Sequence, residues 1–253
     1  GRLRKGVYPR DLMLTIIGQI GAAGASYQVM EFCGDGAGKL SVEDRMVLCN
    51  LAVEAGAKTA IFEPDDIALQ WLDKRGRKPK AVFKSDEDAR YVKEYTFDLD
   101  QIRPVAARPD FVDDVAPVEE VLGTRIDEAF LGSCNNGRID DLRVGAAIVK
   151  GRKVSDHVRF LVVPASRQVY LQALEEGLIQ IFMESGAIVM NPNCSVCWGS
   201  CQGVIGEGEV LISTGTRDFK GRAGHPSSKV YLGSAATVAA SAVKGEICTA
   251  DML

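Results

Sequence analysis

The feature that most constrains the fold is the alternation of apolar strands with helices in the second half of the chain. Residues 158–164 (VRFLVVP) form a continuous apolar run, which is typical of a strand covered on both faces. A second strand is predicted over 125–131, and helical apolar spacing predicts a helix between the two strands. Strands joined by helices form parallel sheets. We therefore predict an α/β fold in which parallel sheets are flanked by helices.

Capping residues predict where several helices begin and end. Asn135 or Asn136 is predicted to cap the helix between those two strands, and Gly151 to end it. Ser166 is predicted to begin one long helix that ends at Gly186. The other predicted strands cover 26–33, 58–63, 187–190 and 209–214, and the other predicted helices cover 10–20, 41–54, 67–74 and 232–243.

The middle of the chain has the composition of a domain boundary. Three prolines fall within residues 103–117, and proline interrupts regular structure. This segment predicts one domain over residues 1–115 and a second over 116–253. A long loop inside one domain would explain the same composition, and 253 residues suit either arrangement.

Composition and charge exclude several classes of partner. The formal net charge is −4, no apolar stretch approaches the roughly 20 residues that cross a bilayer, and no signal-peptide pattern opens the sequence. We expect no nucleic-acid partner, no membrane and a cytoplasmic location. The seven cysteines are unevenly clustered, which favours reduced thiols for metal binding or catalysis over a disulfide framework.

The densest chemical signal is the Cys194-x2-Cys197 pair in residues 191–201 (NPNCSVCWGSC). This spacing lets two thiolates reach one metal centre, and it fits a zinc knuckle, an iron–sulfur ligand pair or a redox dithiol. The sequence has no second pair of this kind, and neither of its two histidines has ligand-like spacing. Buried structural cysteines are a fourth interpretation.

A third cysteine strengthens the iron–sulfur interpretation. Cys134 lies between a predicted strand and a predicted helix, at the edge where parallel α/β sheets place their sites. Together with Cys194 and Cys197 it would supply three thiolates from two strand-end loops. Three cysteines on a four-iron cluster leave one iron without a protein ligand, and that open iron can act as a Lewis acid on a hydroxy acid.

Two pairs of polar residues could complete such a site. Arg217 and Arg222 are five residues apart in a predicted loop, and two guanidinium groups suit a di- or tricarboxylate. Two solvated surface arginines would give the same pattern. Asn50 and Glu54 are four residues apart and share a helix face. Periodicity alone favours assigning that face to solvent.

Three separated motifs resemble the aconitase superfamily, and within it the large subunits of the 3-isopropylmalate dehydratase and homoaconitase branch. They are GSCNNGRIDDL (132–142), NPNCSVCWGSCQGVIGEGEVLISTGTRDFKGRAG (191–224) and SAATVAASAVKGEI (234–247). Residues 1–32 and 40–65 are also similar to the middle portion of that family. The resemblance implies aconitase-like domains two and three, of three-layer α/β/α architecture, with Asn50 and Glu54 in residues 1–115 and the cysteines in 116–253.

The resemblance also implies a cofactor. Cys134, Cys194 and Cys197 match the ligands of one [4Fe-4S] cluster per subunit, with three cysteine ligands and an open iron. All other assignments follow the family motif residue by residue: Asn50 and Glu54 match catalytic residues beside the cluster, and Arg217 and Arg222 match arginines that bind substrate carboxylates. This replaces the solvent assignment of the helix face that carries Asn50 and Glu54.

The activity implied is that of a hydro-lyase acting by dehydration and rehydration. The implied reaction is conversion of 2-isopropylmalate to 3-isopropylmalate in leucine biosynthesis, with homoaconitate, citrate or a methylated malate as alternative substrates. A non-catalytic scaffold that holds zinc or no metal is the rival interpretation. The implied partners are a small carboxylate substrate and a small subunit that carries a swivelling domain.

Two departures from the family pattern accompany the resemblance. The family's first domain would precede Gly1, so we expect this chain to hold only part of the catalytic site and to be inactive alone. The family usually has asparagine at the positions of Thr216 and Asp218. These substitutions predict a site that is tuned differently from that of the family.

Overall fold

The computed structural model describes residues 1–253 and contains one seven-stranded sheet, one two-stranded sheet and eight α-helices. The two-stranded sheet consists of β1 (Val29–Phe32) and β2 (Thr59–Phe62). The larger sheet contains β3 (Val105–Ala107), β4 (Val115–Pro117), β5 (Glu128–Gly132), β6 (Arg159–Val163), β7 (Ile188–Val189), β8 (Val210–Ser213) and β9 (Lys229–Leu232). The helices are α1 (Pro9–Ile20), α2 (Val42–Leu51), α3 (Asp66–Asp73), α4 (Ser133–Asn136), α5 (Ile139–Val149), α6 (Arg167–Glu175), α7 (Leu178–Ser185) and α8 (Ala235–Lys244).

The larger sheet is mostly parallel. Its strand order is β4-β3-β9-β8-β5-β6-β7, and the five strands from β9 to β7 run parallel to one another. Strands β3 and β4 form an antiparallel pair at one edge. The smaller sheet is also parallel. The predicted α/β fold with parallel sheets flanked by helices is confirmed.

Both faces of the larger sheet are buried. Helices α5 to α8 cover one face, where Phe160 of β6 meets Phe182 of α7 with ring centroids 6.1 Å apart. Leu14 of α1, Val196 and Ile205 cover the other face. The apolar run in β6 therefore reflects burial on both sides, as expected for a strand inside such a sheet.

The hydrophobic cores change from one cluster to others at residues 102–105, a little before the predicted domain boundary. One cluster gathers residues from Val7 to Ile102, and the clusters of the larger sheet begin at Val105, with Leu14 joining the two parts. The predicted boundary between residues 115 and 116 falls inside β4. The division into domains 1–115 and 116–253 stays a prediction.

Several predicted element ends are correct because their signals are local. Ser41 accepts a hydrogen bond from the amide of Asp44, whose side chain accepts from the amide of Ser41, so the capping box that starts α2 is present. Gly56 takes the left-handed conformation that ends this segment, at φ 83°. No helix has the length and apolar character needed to span a membrane.

Three predictions about the helices are wrong. The long helix predicted from Ser166 to Gly186 is broken at Gly177, which is left-handed, so α6 and α7 are separate. Neither Asn135 nor Asn136 caps α5, because both lie in α4 and Arg138 is the capping residue. Residue 232 ends β9 and is not the start of α8.

Candidate functional site

Three loops carry the predicted cysteine and arginine residues of the site, and all three leave the carboxyl ends of strands in the larger sheet. Cys134 lies in α4, directly after β5. Cys194 and Cys197 follow β7, at and within a 3-10 turn over Ser195–Cys197. Arg217 and Arg222 follow β8, the neighbour of β5. Parallel α/β sheets place their ligand sites at this edge.

The cysteines of these loops influence one another electrostatically. The pKa of Cys134 is raised by burial, and further by the proximity of Cys197 and Cys194. All three are free thiols; Cys134 and Cys194 are exposed and Cys197 is half-buried. The sulfur of Cys197 lies 4.0 Å from the hydroxyl oxygen of Thr216 in the loop after β8. Thus the two cysteine loops and the arginine loop meet in one region.

Backbone strain and unsatisfied polar atoms accompany the cysteines. Ser133 and Ser195, each next to a cysteine, have positive φ angles of 62° and 47°, a conformation that non-glycine residues rarely adopt outside constrained sites. The hydroxyl of Ser133 and both amide atoms of the Asn135 side chain are buried without hydrogen-bond partners. Buried polar atoms are normally paired, so these atoms are hydrogen-bonding groups that the chain itself leaves unsatisfied.

Cysteine thiols are the usual protein ligands of an iron–sulfur cluster. No group of three or more His, Cys, Asp and Glu side chains lies close enough together to hold a single metal ion. Thiolates on separate irons of a cluster are spread more widely than ligands around one zinc ion. Three cysteine thiols beside unsatisfied polar groups fit an iron–sulfur cluster, whose sulfur atoms accept hydrogen bonds.

Glu54 and Arg217 form the contact that joins the two halves of the chain at this site. The Nε of Arg217 donates to Oε1 of Glu54 over 2.8 Å, and the side chains are 40% and 10% exposed, respectively. Burial raises the pKa of Glu54, while the charges of Arg217, Arg222 and Arg10 oppose that rise. Glu54 is therefore a carboxyl group whose proton is held more tightly than in water.

Arg222 contacts the cysteine loop directly. Its Nε donates to the carbonyl oxygen of Cys197 over 3.0 Å, and its guanidinium lies 5.5 Å from the ring centroid of Phe219. The two terminal nitrogens of Arg222, like those of Arg217, make no hydrogen bond within the chain. Both guanidinium groups thus keep an unoccupied edge of the kind that binds carboxylate bidentately.

Asn50 and Glu54 have different surroundings. Asn50 is exposed near the end of α2 and makes no hydrogen bond, whereas Glu54 lies in the 3-10 turn that continues the helix. The structure brings Glu54 together with Arg217 but records no contact between Asn50 and another site residue. The predicted role of Asn50 stays a prediction.

The sequence reasoning missed Arg10, a charged residue that is almost completely buried beside the site. Arg10 is 1% exposed, and burial lowers its pKa to about 10. Its Nη1 donates to Oδ1 of Asn136 and to the carbonyl oxygen of Thr214, both over 2.8 Å, and its Nη2 donates to the carbonyl oxygen of Gly215. An arginine on the same helix face as Leu14 and other apolar residues was the signal that could have identified it.

Asp218 is a second missed residue. It is 3% exposed, its Oδ2 has no partner, and burial together with the nearby charge of Glu54 raises its pKa to about 7, although Arg10 opposes the rise. The sequence showed Asp218 only as a departure from the family pattern. Its burial depends on contacts between distant segments, which no local pattern reveals.

Comparisons with known proteins identify the family to which the chain is similar. The profile of the aconitase family (aconitate hydratase) matches residues 1–245. The chain is 54% identical over 247 residues to the probable 3-isopropylmalate dehydratase large subunit of Methanothermobacter thermautotrophicus, covering 98% of this chain and 59% of the relative. It is 49% identical over 248 residues to the 3-isopropylmalate dehydratase large subunit 2 of Archaeoglobus fulgidus, covering 98% and 60%.

A relative with a different name is similar to a comparable degree. The probable methanogen homoaconitase large subunit of Methanothermobacter thermautotrophicus is 49% identical over 241 residues, covering 95% of this chain and 56% of the relative. The chain therefore spans somewhat more than half the length of the curated relatives that it matches. The resemblance carried by the three motifs is confirmed, and because the family profile covers nearly the whole chain, this chain belongs to the aconitase family.

Proposed function

We propose that this chain supplies the cluster-bearing part of a hydro-lyase site, in which Cys134, Cys194 and Cys197 hold one [4Fe-4S] cluster. The observation that carries the proposal is the meeting of three free thiols, two arginines with free terminal nitrogens and a buried carboxyl at one sheet edge. The unsatisfied polar atoms of Ser133 and Asn135 in the first cysteine loop support it further.

The reaction we propose exchanges a hydroxyl group between adjacent carbons of a small hydroxy di- or tricarboxylate. When bound, such a cluster supplies a Lewis acid for the hydroxyl and carboxylate oxygens of the substrate. Arg217 and Arg222 orient the substrate, because the free edges of their guanidinium groups can each bind a carboxylate bidentately. Their fixed Nε contacts to Glu54 and Cys197 reduce the side-chain freedom that is lost on binding.

Glu54 is the proposed proton carrier. Its raised pKa keeps the carboxyl protonated to higher pH than a free glutamate, so it can donate a proton to a departing hydroxyl and take one back on rehydration. The ion pair with Arg217 moderates this rise and holds the carboxyl in one orientation. Asn50, one helical turn earlier, is proposed to contribute an amide to the same site.

The substrate we propose is 2-isopropylmalate, converted to 3-isopropylmalate in leucine biosynthesis, with a small subunit completing the enzyme. Relatives named 3-isopropylmalate dehydratase large subunit support both points. The relative named homoaconitase large subunit supports homoaconitate as the second candidate. Turnover of each hydroxy acid by the assembled large and small subunits would separate the candidates.

Anaerobic reconstitution with iron and sulfide tests the cluster. We expect a broad visible absorbance with iron and sulfide bound in the wild type, and loss of both in Cys197→Ser. Cys201→Ser is the matched control, because Cys201 is an exposed thiol of the same loop whose sulfur contacts the carbonyl oxygen of Ser195 at 3.3 Å. An unchanged Cys197→Ser spectrum, or stoichiometric zinc in place of iron and sulfide, would contradict the proposal.

A further inference from the structure

We propose that Arg10 is a positioning residue that fixes the first cysteine loop and the substrate-arginine loop relative to each other. Arg10 belongs to the first turn of α1, and the loops that it joins lie more than a hundred residues away in sequence. The inference builds on the proposed function, because it explains how Cys134 and Arg217 are held in register. Its own evidence is a set of contacts within the chain.

The guanidinium of Arg10 bridges the two loops. One terminal nitrogen reaches the side chain of Asn136, two residues after Cys134, and also the carbonyl of Thr214; the other reaches the carbonyl of Gly215. Thr214 in turn accepts a hydrogen bond at its hydroxyl from the amide of Gly132 over 2.8 Å. The planar guanidinium presents donors on two separate nitrogens and so fits acceptors on both loops, whereas the three donors of an ammonium group all radiate from one atom.

The helix turn that carries Arg10 is itself fixed to the larger sheet. The carboxylate of Asp11 accepts hydrogen bonds from the amide of Tyr8 over 2.8 Å and from the amide of Val105 in β3 over 3.2 Å. Asp11 is fully buried. Arg10 therefore extends from a helix turn that is anchored to β3.

The charge of Arg10 also faces the cysteine site. The side chains of Cys197, Asp141, Asp11 and Asp218 lie near the guanidinium of Arg10, and the charged form of each would favour its positive charge. Its Nε is buried without a partner. A fully buried cation costs free energy unless anions surround it, so the position is suited to a site that carries negative charge.

Local hydrogen exchange of the 253-residue chain tests the inference without the cluster. In Arg10→Met we expect amides of residues 130–137 and 212–218 to exchange about tenfold faster or more, since hydrogen bonds from a charged donor are lost on both sides. Arg10→Lys keeps the charge but has only one donor nitrogen in place of the two that reach the loops, so we expect an intermediate increase. Amides of residues 42–66 are expected to be unaffected in both variants.

Arg45→Met is the matched control. Arg45 is also a buried arginine, and it donates to the carbonyl of Leu40 and to both carboxylate oxygens of Asp65, with no hydrogen bond to either site loop. We expect this control to accelerate exchange in residues 42–66 and to leave the two site loops unchanged. Unchanged loops in the Arg10 variants, or an equal increase over the whole chain, would overturn the inference.

A second measurement keeps the test independent of how well Arg10→Met folds. Asn136→Ala removes one acceptor while Arg10 stays in place, and we expect faster exchange in residues 130–137 with little change in 212–218. After reconstitution, the Arg10 variants are expected to lose iron to a chelator several-fold faster than wild type. A wild type that binds no cluster would contradict the proposed function while leaving the exchange result to decide the role of Arg10.

Discussion

Replacing Asp218 by asparagine should remove a large part of the pH dependence of stability. The carboxyl of Asp218 is 3% exposed with one oxygen unpartnered, and burial raises its pKa from an ordinary 3.8 to about 7. The folded chain therefore keeps this proton at pH values where the unfolded chain has lost it. Because the unfolded state binds fewer protons over that range, the free energy of unfolding falls as pH rises.

The magnitude follows from the two pKa values. Between pH 5 and pH 8 a carboxyl with these folded and unfolded values lowers the free energy of unfolding by about 2 to 3 kcal/mol. The Asp218→Asn variant lacks this contribution, so its stability should exceed that of the wild type by about that amount more at pH 8 than at pH 5. Burial also raises the pKa values of Asp11 and Glu128 to about 7. Their contributions to the pH dependence of the free energy of unfolding are the same in both proteins and cancel in the comparison.

Urea unfolding at a series of pH values measures this difference. The wild type and Asp218→Asn are compared at pH 5, 6, 7 and 8, with Asp251→Asn as a control that changes an exposed carboxyl. We expect the control to follow the wild type and the difference for Asp218→Asn to grow with pH. Parallel curves for wild type and Asp218→Asn would refute the reasoning that Asp218 is protonated in the folded chain at neutral pH.

Three further substitutions test how the site and its sheet are built. Gly199→Ala should lower the free energy of unfolding by about 2 to 4 kcal/mol and prevent cluster assembly, because the added Cβ would lie 1.7 Å from the carbonyl oxygen of Arg222 at a φ of +75°. Urea unfolding measures the first effect and reconstitution the second. A stable variant with a normal spectrum would contradict both expectations. Phe182→Ala should cost about 3 to 5 kcal/mol, since its buried ring packs against Phe160; a loss below about 1 kcal/mol in urea would count against that packing. Ser166→Ala should cost about 1 kcal/mol through loss of the α6 cap, and an unchanged thermal midpoint would show that the cap contributes nothing.

The elements that the sequence predicted correctly have local causes. The capping box at Ser41 and the left-handed Gly56 act within one helical turn, so the residues that cause them are adjacent in sequence. The continuous apolar pattern across Gly177 concealed the break between α6 and α7, because glycine's left-handed conformation leaves the apolar spacing intact.

Three short strands were not predicted, because hydrogen bonding to neighbouring strands and not a local pattern determines them. Strands β3 and β4 have three residues each, and β9 has four. Such segments are too short for a periodic pattern, and hydrogen bonds to other strands fix their conformation. One of these pairings joins distant parts of the sequence, since Ala107 of β3 pairs with Leu232 of β9. The predicted sheet therefore lacked the antiparallel edge that lies beside α1.

The candidate site likewise contains residues that a local sequence signal identifies and contacts that join residues distant in sequence. Cys134, Cys194 and Cys197 could be singled out because cysteine spacing is a local signal of metal chemistry. The contact of Arg217 with Glu54 spans 163 residues, and those of Arg10 with Asn136 and Gly215 span 126 and 205. Contacts over such separations depend on the assembled fold, so sequence patterns alone could not predict them.

Mössbauer spectroscopy of the reconstituted chain tests the central claim most directly, because it resolves individual iron sites. If three thiols of this chain hold a cluster with an open iron, one iron site should differ from the rest, and its signal alone should shift when 2-isopropylmalate is added. Cys134→Ser should abolish the cluster signal and Cys201→Ser should preserve it. Equivalent iron sites that ignore the hydroxy acid, or a signal that survives Cys134→Ser, would contradict the account.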